Sequence, residues 1–299
     1  MSGGSERSVW GVSGDVRQVR LAYYRRPSKL SLSRHTKGVT MKIYIMADME
    51  GTSGIWRREQ VDSSSPHYAQ GREFLIADVN AAIAGAFDGG ATEVIACDTH
   101  GGGANFLIEK MDPRAIYENP CDFSPLPSLD ESFAGLILTG HHAMAGTLNG
   151  FLDHTQSSAS WFDYKINGES YGEVGQETAY AGHFNVPLIM VTGDETACAE
   201  TQRQFPGAVT VAVKRALGRS RARCLHPEKA HELIRKGAAE AVKKAKTLKP
   251  FKPSLPVTLE LTYYRSDMAD ASATRPGTER VNARTLRRVD QNTLEVMEF

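Results

Sequence analysis

Cysteine is scarce in this chain: there are four, Cys97, Cys121, Cys198 and Cys224, far apart and in no CxxC pair. That spacing excludes a disulfide framework and a thiolate zinc site, and it fits reduced thiols in the cytoplasm. Long apolar runs are also missing. None approaches the roughly 20 residues that a membrane helix needs, and no continuous apolar core marks a secretion signal. An excess of charge is absent too, since Lys+Arg and Asp+Glu both number 35. Nothing in the total therefore argues for nucleic acid or an anionic membrane as partner. Hydrophobic residues make up 41% and charged residues 23%, an ordinary globular profile. The 299 residues suffice for one large or two ordinary domains with a real core.

The neutral total hides an asymmetry. Residues 1–40 hold eight Lys/Arg against two acids, a net +6, which leaves −6 on the rest of a chain whose total is zero. This basic, Ser- and Gly-rich segment could be a presequence of mitochondrial type, a disordered arm, or an upstream extension with Met41 as the true start. The last is the reading adopted, because a clean strand begins at Met41.

The most informative segment follows that strand. Ile43-Tyr44-Ile45-Met46-Ala47 runs into Asp48-Met49-Glu50-Gly51-Thr52. Two carboxylates two apart at a strand end project the same way, because strand side chains alternate. Such a pair repels and raises each other's pKa unless something offsets it, and a divalent metal is the common solution. Two further apolar strands end alike. Thr92–Cys97 leads into Asp98-Thr99-His100-Gly101-Gly102-Gly103, and Ala134–Thr139 leads into Gly140-His141-His142. The carboxyl ends of strands line the ligand crevice of open parallel sheets.

Ser63-Ser64-Ser65-Pro66 reads as a helix start. Apolar residues from Leu75 to Phe87 follow at helical spacing, and Gly89-Gly90 ends that helix. Strand, helix, strand is a parallel unit with a right-handed crossover. Asn167-Gly168 signals a hairpin, Glu173 opens a helix, and Val186–Val191 is a buried strand. Pro227–Lys246 is an amphipathic helix, and Val257–Tyr263 is an alternating strand. Thr293–Met297 is strand-like. The fold class is α/β: a three-layer, mostly parallel sheet domain over 41–195, then a smaller α+β domain over 196–299.

The candidate metal ligands are Asp48, Glu50, His100, His142 and Glu173. Mixed carboxylate and imidazole donors suit zinc, with manganese or cobalt also fitting. Five ligands exceed the needs of one tetrahedral ion and match a pair of ions with a bridging carboxylate, which suits amide or ester hydrolysis. Neighbouring residues carry structural readings. His141 points elsewhere. Asp98 either orients His100 or sits in a plain strand-end turn. Glu177 is a solvated helix acid. Asp194 and Glu195 cap a helix instead of lining the cleft. Gly101–Gly103 lacks both the dinucleotide register and the P-loop lysine, which argues against a phosphate cradle.

Taken together, Asp48–Gly54 (DMEGTSG), Asp98–Gly101 (DTHG), Gly140–Gly146 (GHHAMAG), Asp153–Thr155 (DHT), Gly172–Gly175 (GEVG) and Val191–Asp194 (VTGD) resemble the M55 family of zinc D-aminopeptidases. The resemblance runs from Met41 to near the C-terminus, with the motifs in order. It implies two Zn2+ per chain on those five ligands and a catalytic role for His154 as base or nucleophile. It also implies a short-peptide substrate and a homo-oligomer, a ring-shaped decamer with an internal chamber. Residues 1–40 have no counterpart in the family pattern, and family members commonly continue into a final helix beyond this chain's last residue. Two alternatives stand beside it. One is a dinuclear hydrolase of another bond such as a phosphoester, although no Arg or Lys cluster adjoins the ligand motifs. The other is a non-enzymatic peptide-binding protein linked to peptide transport.

Overall fold

Alternation along β1 (Lys42–Ala47) sets the layers. Ile43, Ile45 and Ala47 pack into one buried cluster, and Tyr44 and Met46 into another on the opposite face. A strand buried on both faces belongs in the middle of a sheet covered on both sides. The computed structural model describes residues 40–121 and 124–297. The reading of 1–40 as an extension therefore lies, but for Thr40, outside the described residues.

The main sheet adds β2 (Glu93–Asp98), β3 (Ile116–Glu118), β4 (Phe133–His141), β7 (Leu188–Asp194), β8 (Val209–Gly218) and β9 (Arg221–Cys224). Its order is β3-β2-β1-β4-β7-β8-β9, parallel throughout except for the final β8–β9 pair. One face is covered by α1 (Tyr68–Asp88) and α4 (Pro227–Lys244). These helices touch closely: a Cβ on Gly85 of α1 would sit 2.2 Å from the Arg235 carbonyl oxygen of α4. Only glycine allows that approach. α4 buries Ala230, Ile234, Gly237, Ala238 and Ala241, the helical spacing read from sequence.

The opposite face carries α2 (Glu173–His183) and a second sheet. That sheet contains β5 (Trp161–Ile166), β6 (Glu169–Ser170), β10 (Val257–Tyr263), β11 (Thr278–Arg280) and β12 (Thr285–Asp290), in the antiparallel order β11-β12-β10-β5-β6. Asn167 and Gly168 turn β5 into β6 with φ of 50° and 88°, the left-handed pair that such a hairpin requires. Remaining helices are α3 (Glu195–Gln204), α5 (Ser266–Ala273) and α6 (Thr293–Val296).

The α/β class with a mostly parallel sheet holds, but the sheets do not divide at residue 195. β8, β9 and α4 complete the first sheet and its covering layer, whereas β5 and β6 precede 195 and join the second. The apolar faces decide this. Val211 and Val213 of β8 bury against the α1/α4 layer, while Trp161 and Tyr164 of β5 bury with Leu259 and Leu261 of β10. Two local readings also change. The first long helix begins at Tyr68, after Pro66. Thr293–Val296 is a helical turn, because the Asn292 side chain accepts from Leu294 N (3.0 Å) and caps it. The four cysteines are free thiols. Among the described residues no helix is long and apolar enough to cross a membrane.

Candidate metal centre

Parallel pairing brings the ends of β1, β2 and β4 side by side. Ala47 sits opposite Asp98 and also opposite Thr139. Asp48 and Glu50 follow β1, His100 follows β2, and His142 follows β4. Glu173 is the first residue of α2, where the helix dipole favours a carboxylate. His154 comes from the irregular segment between β4 and β5.

These six side chains form two groups. Asp48, Glu50 and His100 each offer one donor atom within 4.8 Å of the others, and so do His142, His154 and Glu173. In the first group His100 Nδ1 lies 3.0 Å from Asp48 Oδ1 and 3.1 Å from Glu50 Oε2. In the second, Glu173 Oε1 lies 3.4 Å from His142 Nε2 and 3.5 Å from His154 Nε2. Asp48 joins them, because its Oδ2 is 3.4 Å from His142 Nε2. The rings of His142 and His154 stack at 3.9 Å.

The donor set fits metal on two counts. Asp48 Oδ2 and His142 Nε2 are buried without a hydrogen-bond partner, which is costly unless something else satisfies them. In addition, each histidine has its other nitrogen beside a backbone carbonyl: His100 Nε2 to Val61 O (3.0 Å), His142 Nδ1 to Ala143 O (3.0 Å) and His154 Nδ1 to Leu152 O (2.8 Å). An N–H donated there leaves the facing nitrogen with its lone pair toward the carboxylates, as metal-binding histidines are commonly held.

Electrostatics agree. Burial alone would push Glu50 and Glu173 up. Instead, His100 beside Glu50 holds it well below the usual carboxylate range, and His142 and His154 hold Glu173 at about 2. Burial would push His100 and His142 down, yet Glu50 and Glu173 respectively raise them well above the ordinary imidazole value. Carboxylates packed closely enough to raise the imidazoles beside them make the site electrostatically suited to cations.

Comparison with known proteins decides the lineage. The M55 peptidase model, described as D-aminopeptidase, matches residues 41–299. The chain belongs to the M55 D-aminopeptidase family. A D-aminopeptidase of Bacillus subtilis (strain 168) is 35% identical over 241 residues, 80% of this chain and 87% of that protein. The solved structure of the Zn-dependent D-aminopeptidase DppA from Bacillus subtilis, described as a self-compartmentalizing protease, superposes with a TM-score of 0.82 at 33% identity. That match covers 86% of this chain and 94% of the other.

Around this M55 centre lies a cavity of about 720 Å3 lined by Asp48, Glu50, His100, His154, Glu173 and Arg58, among others. Gly101–Gly103 line it too, with φ of 58°, 86° and 90°. Arg219 is a further lining residue but is paired with Asp153 at 3.0 Å. His141 points away, with Nε2 2.7 Å from Glu177 Oε2. Glu177 is therefore not a solvated acid: it is 2% exposed. Burial raises it to about 7 despite the opposing pull of His141. Asp98 does not orient the His100 ring, a task that falls to the Val61 carbonyl. It accepts from the Asn105 backbone and side chain and from Phe106 N, while Asn105 Nδ2 also donates to His100 O (2.7 Å). It thus sits in a strand-end turn. Asp194 caps α3 as expected, accepting from Ala197 N at 2.8 Å, and it also accepts from Phe151 N at 2.8 Å. Glu195 is exposed and 3.5 Å from Arg215. Sequence reasoning missed Lys214, whose side chain reaches the Glu50 carbonyl. A single lysine in the alternating strand VTVAVKRALG carries no local signal.

Proposed function

We propose that this protein is a zinc-dependent aminopeptidase that removes N-terminal D-amino acids from short peptides. Two Zn2+ would be held by Asp48, Glu50, His100, His142 and Glu173, with His154 as the catalytic residue. The observation that carries this reading is the pair of three-residue donor groups joined through Asp48. Bound zinc supplies Lewis acidity, which polarises a carbonyl and acidifies water. Asp48 belongs to the first group and lies 3.4 Å from His142 of the second, so it would contribute to both. His154 lines the cavity, and its Nδ1–H is committed to Leu152 O. Its Nε2, 3.5 Å from Glu173 Oε1, would take up a proton as water adds to the peptide carbonyl and pass it to the amine that leaves when the C–N bond breaks. A cavity of about 720 Å3 admits a short peptide but no folded chain. We further infer a homo-oligomer, with the ring-shaped decamer as the specific form, and a cytoplasmic location in keeping with the four free thiols.

Hydrolysis of D-Ala and L-Ala p-nitroanilides by protein of measured zinc content tests this, with and without chelator and alongside His142→Ala. The expected result is chelator-sensitive release that favours the D form and is lost in the variant. Release favouring the L form would keep the chemistry and discard the chirality. No release from protein holding two zinc ions would reject the peptidase reading and send the search to phosphoesters and to peptide binding without turnover.

A further inference from the structure

The β8–β9 hairpin contributes no candidate ligand, yet it touches both Glu50 and the segment that leads to His154. Lys214 in β8 is 3% exposed. Its Nζ donates to the carbonyl oxygens of Glu50 and Ile55, both at 2.7 Å. The same ammonium lies 4.8 Å from the centroid of the Phe151 ring. Cys224, the residue opposite Lys214 in β9, donates its thiol to the same Ile55 carbonyl at 3.5 Å. At the turn of the hairpin, Arg219 O accepts from Leu152 N (2.8 Å), and the Arg219 guanidinium holds Asp153 through its carboxylate and its carbonyl, both at 3.0 Å. Leu152 and Asp153 immediately precede His154.

We propose that Lys214 is a positioning residue of the metal centre: it fixes the backbone at Glu50 and, through Phe151, ties that loop to the segment carrying His154. This rests on the metal-site reading above. A purely stabilising role accounts poorly for the arrangement. Burying an ammonium is expensive, and well-packed apolar replacements of buried charges are often neutral or stabilising. What an apolar side chain cannot do is hold two carbonyls five residues apart at one point while facing an aromatic ring. The strut determines where the Glu50 carboxylate sits relative to Asp48 and His100.

The test uses the full chain, stripped of zinc and reloaded. Lys214→Met keeps the length and removes the donors. Zinc affinity is read by competition with a chromogenic chelator, site geometry by the visible spectrum of the cobalt-substituted protein, and folding by the melt of the zinc-free form. Expected are a near-wild-type melt, a loss of about 10- to 100-fold in affinity for one of two zinc ions, the range typical of outer-shell changes, and an altered cobalt spectrum. On D-Ala p-nitroanilide, kcat falls with KM little changed. Wild-type affinity and an unchanged cobalt spectrum in folded Lys214→Met would overturn the proposal. If that variant does not fold, Lys214→Arg decides on the same two readings, because a planar fork cannot reproduce the ammonium's two contacts. Zinc binding is read without substrate. Wild-type protein that binds zinc but cleaves no peptide thus sinks the peptidase reading alone, and wild-type protein that binds no zinc sinks both.

Discussion

Asp48, Glu50 and His100 stand at the ends of two neighbouring parallel strands, whereas His142, His154 and Glu173 come from a strand end, an irregular segment and a helix N-terminus. The first group inherits its geometry from the β1–β2 ladder, in which Ala47 and Asp98 are paired. The second depends on the path of residues 143–160, where Asn149, Leu152 and Gln156 hold φ of 60°, 51° and 56°. Each such non-glycine residue costs on the order of 1 kcal/mol or more, and polar contacts hold the path. Asp153 accepts from Gly146 N (2.7 Å), Asp194 from Phe151 N (2.8 Å) and Glu173 from Gln156 N (2.7 Å). One half of the centre is thus set by a sheet, and the other by a loop that its own site residues help to hold.

The sharpest way to break this contrast is Asp48→Ala, since Asp48 lies within ion-pair distance of a histidine from each group. Loss of both zinc ions is expected, with an activity drop of at least about 100-fold, beyond the usual effect of outer-shell changes. Metal analysis and turnover check it. One ion retained at full affinity would mean that the halves fill independently. Next in size is His154→Ala, for which kcat is expected to fall by about 10²- to 10⁴-fold, the contribution of a general acid–base group, with zinc content unchanged. Loss of one ion instead would move His154 from catalysis to ligation.

A third test uses pH. Carboxylates beside His100 and His142 hold both well above the ordinary value of 6.5, and both must lose a proton to bind zinc. Affinity measured by chelator competition should therefore keep rising above pH 6.5, by about tenfold per pH unit for each proton displaced. The zinc-free fold responds oppositely. A raised imidazole pKa contributes stability that is complete below 6.5 and lost as pH rises through the folded value, so its melt should fall with pH where zinc affinity climbs. A flat profile in both experiments would contradict the packed-anion picture.

The smallest effect concerns the loop. Asp194→Ala removes the cap of α3 and the acceptor for Phe151 N. It should cost about 1–2 kcal/mol, read by denaturant unfolding. If the halves differ as described, that variant weakens the His142, His154 and Glu173 group and leaves the Asp48, Glu50 and His100 group intact.

Which parts were legible in the sequence follows the same line. Asp48, Glu50, His100 and His142 could be read as strand-end residues, because apolar runs announce the strands and parallel sheets gather their carboxyl ends. Glu173 stood at a visible helix start. His154 had no local signal and rested on the family resemblance alone. The assignment of Glu177 to solvent failed for a physical reason: it is buried in the fold, and its hydrogen-bond partner His141 lies 36 positions away in another element. The interleaving of the two sheets across residue 195 was illegible for a similar reason, because the residues on either side show the same strand and helix periods whichever sheet they join.

By itself, then, the sequence determined most of the longer elements, the α/β class and the family, and it named most of the side chains that the fold brings together. Those depend on periods of two and 3.6 residues and on motifs a few residues long. The tertiary structure alone decided that Asp48 links two donor groups, that carbonyls of Val61, Ala143 and Leu152 fix which imidazole nitrogen faces the centre, and that Lys214 meets the Glu50 carbonyl across 164 positions of chain. Contacts of that kind arise from the path of the folded backbone, which no local pattern of side chains encodes.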